Sequence, residues 1–117
     1  MLFRSRLDFN VIEHADAVEI VCTGDGIEKR IRFSENGEIA VAWTWDSSAF
    51  RADAQFASEI SLFRPLDITG SPAATTWTAP VETVSKSEKG LDRTVQGESI
   101  TLLWNASLGG ASLRVRP

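Results

Sequence analysis

The chain has 117 residues, a formal net charge of −4, 43% hydrophobic residues and one cysteine, Cys22. That length suits one hydrophobic core, so residues 1–117 are read as a single domain. The acidic balance excludes nonspecific nucleic-acid binding, which needs a basic surface, and a lone cysteine excludes an internal disulfide and points to the cytoplasm. No apolar run approaches the ~20 residues of a membrane span, and MLFRSRLDF carries charges where a signal peptide needs an unbroken apolar core, so neither membrane nor secretion is expected.

Strand alternation opens the chain at Leu7, Phe9 and Val11 and resumes at Val18, Ile20 and Cys22, where the cysteine reads as a small buried hydrophobe. Between them EHAD reads as a solvated turn. His14 with Glu13 and Asp16 is too weak a constellation for a metal site, so no metal is expected. Gly24, Asp25 and Gly26 lack the Lys and strand-to-helix context of a phosphate loop and read as a hairpin turn, so no nucleotide cofactor is implied.

The next hairpin has a derivable register. Ile27 to Phe33 and Ile39 to Trp45 flank Glu35, Asn36 and Gly37, with Gly placed for positive φ. A three-residue loop closed by Ser34 and Glu38 pairs Phe33 with Ile39, Ile31 with Val41, Lys29 with Trp43 and Ile27 with Trp45, whereas a two-residue loop mixes the two faces. The three-residue loop therefore wins, leaving Glu28, Arg30, Arg32, Ala40, Ala42 and Thr44 on a small, polar outer face.

Ala49 to Leu62 leaves two readings open, because its alanines suit a helix while Phe56, Ile60 and Leu62 fit one strand face. Arg64 to Thr78, with Pro65, Gly70 and Pro72, reads as an irregular connection with Leu66 and Ile68 packed inward. A strand is expected from about Ala79, then a turn at Lys89 and Gly90, a short return strand Leu91 to Val95, a turn at Gln96 and Gly97, the strand SITLLW, and a last hairpin turn at Gly109 and Gly110 before SLRVR. The sum is eight to ten short antiparallel strands, an all-β, two-layer sandwich.

Catalytic readings are weak. Glu82, Glu88, Asp92 and Arg93 supply carboxylates and a cation within a dozen residues, but a retaining glycosidase needs two carboxyl groups roughly 5 Å apart, and an Arg beside carboxylates more often pins a turn. Ser85 and Ser87 lack a neighbouring base, since the only histidine is His14. Arg4 with Arg6 and Arg114 with Arg116 each share one side of a strand, as an anion site if the terminal strands are neighbours or, preferably, as edge-strand charges that block pairing. Among four tryptophans, Trp43, Trp45 and Trp104 fall on core faces, and Trp77 is the candidate for exposure and for stacking on a sugar ring.

The stretch Pro80 to Gly97, PVETVSKSEKGLDRTVQG, followed by Trp104, resembles a motif of the C-terminal β-sandwich domain of family 57 glycoside hydrolase-type α-amylases and 4-α-glucanotransferases. Pro80, Glu82, Thr83, Val84, Ser85, Ser87, Glu88, Gly90, Arg93, Gln96, Gly97 and Trp104 match, with Val81 for Ile and Asp92 for Glu. The run Gln55 to Leu62, including Glu59, is similar to another strand of that domain with Ser61 where the family has Asn, and Ile27 to Phe33 is similar to its basic strand. This resemblance decides for strand in Ala49 to Leu62.

The resembled enzymes carry their catalytic carboxylates on an N-terminal barrel of several hundred residues, which 117 residues cannot hold beside a sandwich. The resemblance therefore implies a noncatalytic accessory domain, structural or docking to a glycoside hydrolase catalytic domain, with an α-glucan-binding module as the alternative. The matched residues are expected to be structural, with the small polar side chains binding turn backbone and Glu88 and Arg93 closing the loop. The resembled sandwich has further strands, so an exposed apolar layer is a further expectation, covered in a twofold homodimer or, alternatively, by the strands at Leu2 to Cys22 in a compact monomer.

Overall fold

A computed structural model describes residues 8–117. The strands are β1 (Asp8–Glu13), β2 (Ala17–Gly24), β3 (Ile27–Ser34), β4 (Ile39–Trp45), β5 (Gln55–Leu62), β6 (Asp67–Ser71), β7 (Thr75–Ser87), β8 (Gly90–Asn105) and β9 (Gly110–Arg116). Among the described residues they form a six-stranded sheet, β1-β2-β3-β4-β9-β6, and a three-stranded sheet, β5-β8-β7, with antiparallel pairing throughout. The all-β antiparallel sandwich read from strand alternation is the observed architecture.

The β3–β4 register is the derived one: Phe33 pairs with Ile39, Ile31 with Val41, Lys29 with Trp43 and Ile27 with Trp45. Gly37 adopts φ +88°, and the Ser34 amide donates to the Glu38 carbonyl at 3.0 Å. That register puts Val41, Trp43 and Trp45 on one face, where they meet Leu102 and Trp104 of β8 and Leu113 and Val115 of β9. Phe56 of β5 stacks on Trp45 with ring centroids 4.4 Å apart, and the indole nitrogens of Trp45 and Trp104 donate to the carbonyls of Ala106 and Pro72 at 2.7 and 2.8 Å. Burial of these rings costs no unsatisfied donor.

Several local expectations are corrected. Arg64 to Thr78 is not one irregular connection: β6 lies inside it, pairing with β9, and β7 starts at Thr75 rather than near Ala79. Leu66 and Ile68 do pack inward. Gln96 and Gly97 make no turn, because β8 runs unbroken through them and Gln96 is the extra residue of a β-bulge between Val81↔Gly97 and Glu82↔Val95. Gly97 is required by a close approach instead, since a Cβ there would overlap the Leu62 carbonyl oxygen. Gly109 and Gly110 do not close a hairpin either: a 3₁₀ turn, Ala106–Leu108, capped by Gly109, carries the chain from one sheet to the other.

The two layers are unequal, and this shapes the surface. With core residues facing inward on β4, the register carries the same face outward through Ile31 and Phe33, then Val18, Ile20 and Cys22, then Phe9 and Val11. The three-stranded layer does not cover this far side: Phe9 is 69% exposed, and Val11, Val18 and Phe33 are exposed too, while Cys22 is half-buried rather than fully buried. The alternation was real, but one sheet is wider than the other. The β7–β8 ribbon also extends past the core, and the radius of gyration of 17.4 Å exceeds the ~13 Å of a compact chain of this length.

Candidate functional site

The signature stretch folds into the outer half of the β7–β8 ribbon. Ser87 pairs with Gly90 around a two-residue turn, Glu88 and Lys89, one residue earlier than expected. The Ser87 hydroxyl donates to the Gly90 carbonyl at 3.2 Å, and the Gln96 amide donates to the Thr83 hydroxyl at 3.2 Å. Thus part of the expected binding of small polar side chains to turn backbone is present. Pairing alternates the faces: Glu82, Val84 and Lys86 share the core-side face with Val95, Arg93 and Leu91, while Thr83, Ser85 and Ser87 share the other with Thr94, Asp92 and Gly90.

This arm is solvent-exposed on both faces, including Val84, Leu91 and Val95. Among the described residues neither Glu82, Glu88, Asp92 nor Arg93 makes a salt bridge. The expected Glu88–Arg93 closure is therefore absent: Glu88 sits in the tip turn, and Arg93 lies opposite Val84 three residues down the ribbon, roughly 10 Å away along the strand. Glu82 lies on β7 and Glu88 in the tip turn six residues on, roughly 20 Å away, so they do not form a carboxylate pair around a sugar. Ser85 faces Asp92 on the open side, far in the topology from His14 at the β1–β2 turn.

Trp77 lies on the outer face of the three-stranded sheet. It pairs with Thr101, which pairs in turn with Glu59, so one row across β7, β8 and β5 reads Trp77–Thr101–Glu59. Trp77 is 64% exposed, and Glu59 accepts a 2.8 Å hydrogen bond from the Ser99 hydroxyl. Ser61, Ser99 and Ala79 form the adjoining row, leaving a flat strip of small side chains beside the indole. No second aromatic ring pairs with Trp77 among the described residues. Trp104, the last signature residue, is buried in the core, its ring centroid 5.9 Å from that of Trp43.

Charges concentrate on the outer face of the six-stranded sheet. Glu19 accepts from Arg30 at 3.0 Å and contacts His14 at 3.1 Å, and Arg30 also donates to Glu28 at 2.6 Å. The Arg30 guanidinium first, and His14 second, hold the Glu19 carboxyl below the usual carboxylate range. His14 is thus a hydrogen-bond partner of Glu19 at its turn, and among the described residues no cluster of metal-ligating side chains gathers there or elsewhere. Arg114 and Arg116 flank Glu38 at 3.7 and 3.3 Å on β9, an interior strand and not an edge. β9 is not a neighbour of β1, and Arg4 and Arg6 lie outside the described residues.

On the inner side, a cleft of about 390 Å³ lined by Cys22, Ile27, Lys29, Ile31, Trp43 and Phe56 opens at the foot of the uncovered apolar face. Its polar lining is the Cys22 thiol, the Lys29 amine opposite it and Asp25, so it holds no carboxylate pair. An exposed apolar layer is expected from the resemblance, but alternation does not say where it lies, because it reports which side of a strand is apolar and not whether a second layer covers it. Among the described residues no helix is long and apolar enough to cross a membrane.

Comparison with known proteins places the arm and its sheet in context. Residues 61–115 match the family model described as "Alpha-amylase/4-alpha-glucanotransferase, C-terminal". The 4-alpha-glucanotransferase of Thermococcus litoralis, a solved structure, matches at a TM-score of 0.58 and 21% identity over 93% of this chain. This chain spans 22% of that one, so the likeness is to a part of a larger protein and concerns the fold. No curated protein matches. In its sandwich fold, and in sequence over 61–115, the chain resembles the C-terminal domain of the α-amylase/4-α-glucanotransferase type.

Proposed function

We propose that this chain is a noncatalytic accessory sandwich that docks against a catalytic barrel of the family 57 glycoside hydrolase type. The observation that carries this reading is the inner face of β1–β3, uncovered among the described residues, where Phe9, Val11, Val18 and Phe33 stand exposed on a sheet whose other side carries the ion pairs of Glu19, Glu28, Arg30 and Arg32. An apolar patch rimmed by charge is a protein-docking surface more than a solvent surface. The matched solved chain is several times longer than this one, which supports a large partner polypeptide as the occupant. A reducing, cytoplasmic setting belongs to this reading, supported by the free, half-buried Cys22. Mixing the protein with a barrel of that class lacking its own sandwich tests it by co-elution. Complex formation, lost in Val11→Asp, is expected; separate elution at micromolar concentration of both overturns the reading.

A second reading rests on Trp77. A pyranose ring of an α-glucan stacks on the exposed indole while Thr101 and Glu59, in the same row, take hydroxyl groups. One ring makes a weak site, so the expected signal is a small saturable shift in tryptophan emission with soluble starch, absent in Trp77→Ala. An unchanged spectrum across a glycan panel rejects it.

A further inference from the structure

The arm carries a self-complementary edge. β7 is the edge strand of the three-stranded sheet among the described residues, and its outer half, Glu82-Thr83-Val84-Ser85-Lys86, is exposed at every residue. Edge strands with free backbone groups pair with another strand unless charge or proline prevents it. Here proline ends the available stretch at Pro80, and the charges are placed symmetrically about Val84.

We propose that two copies of this chain associate through antiparallel pairing of their β7 edges, with Val84 opposite Val84 of the second copy on a twofold axis. In that register Glu82 of each copy stands directly opposite Lys86 of the other, on the same face as the valines, and Thr83 stands opposite Ser85 on the reverse face. Neither Glu82 nor Lys86 has an ion-pair partner within its own chain among the described residues, so no existing bond is broken.

Neighbouring registers fail on charge. An axis on Thr83 sets Glu82 against Val84, an axis on Ser85 sets Glu82 against Glu88 and Lys86 against Val84, and axes on Glu82 or Lys86 bring like charges together. The paired stretch runs from Pro80 to Glu88, so the pairing is confined to the two arms. The four-stranded ribbon so formed gives an isolated two-stranded arm the extra strands it needs for independent order. This surface is separate from the inner face of β1–β3 and does not depend on the docking reading.

Sedimentation velocity over a wide concentration range tests the pairing. A monomer–dimer equilibrium is expected for the natural chain, weakened about tenfold or more by Glu82→Lys or Lys86→Glu, and restored when both reversals are combined. In a Cys22→Ser background, Val84→Cys is expected to give a disulfide-linked dimer under mild oxidation, because directly opposed residues of an antiparallel pair stand roughly 4.5–5.5 Å apart at Cα, within disulfide reach. Leu91→Cys, one strand further from the axis, is expected to stay monomeric. A natural chain that is monomeric throughout, a dimer indifferent to both single reversals, or equal cross-linking at positions 84 and 91 overturns the proposal.

Discussion

Gly97 is where one missing atom decides the path of a strand. Its Cα passes so close to the Leu62 carbonyl that any Cβ must displace β5 backbone, and the bulge at Gln96 sets this approach. Gly97→Ala is expected to destabilise the domain by about 1–3 kcal/mol, read as a lower denaturation midpoint in urea at unchanged m-value. Glu19 has a different kind of constraint. Its carboxyl is held below the ordinary range by hydrogen bonds from Arg30 and then His14. A depressed carboxylate contributes stability that is present above its unfolded-state pKa and is lost as pH falls through the folded value. Melting temperature is therefore expected to drop on acidification below about pH 4, and Glu19→Gln to flatten that part of the profile while lowering the plateau at neutral pH. A profile identical to the natural chain's contradicts a role for this network.

At the scale of elements, the β7–β8 arm separates sequence signature from stability. Its matched residues lie on a ribbon beyond the core, and Arg93, opposite Val84, makes no salt bridge among the described residues. Arg93→Ala is accordingly expected to leave thermal unfolding within about 0.5 kcal/mol of the natural chain, as for a surface side chain without a partner. A larger loss, seen by calorimetry, restores the idea of a loop-closing ion pair. The turn residues were read one position late because Gly90, φ +122°, looks like the turn centre in sequence yet is the first residue of the return strand. The two halves of β8 were read as separate strands for a related reason. A Gln-Gly dipeptide is a turn signal unless a neighbouring backbone demands the glycine, and that neighbour is 35 residues away in β5.

For the whole molecule, the unequal sheets set where energy is stored. Leu102 and Leu113 are essentially fully buried between the layers, and Leu102→Ala is expected to cost about 2–5 kcal/mol in denaturant unfolding, whereas Val11→Ala on the uncovered face is expected to cost under about 1 kcal/mol. Equal losses contradict the one-sided core. Strand alternation, the glycine of the β3–β4 loop and the exclusion of mixed faces by themselves determined the all-β class, the register from Ile27 to Trp45, and the burial of Trp43, Trp45 and Trp104. These follow from contacts a few residues apart, where the period of two and the turn geometry leave a single consistent pairing. Only the tertiary structure decided that β6 pairs with β9, that Gly109 turns the chain between sheets, and that three strands fail to cover six. Those outcomes depend on which distant strands become neighbours, and a local pattern that marks a face as apolar carries no information about what lies across from it.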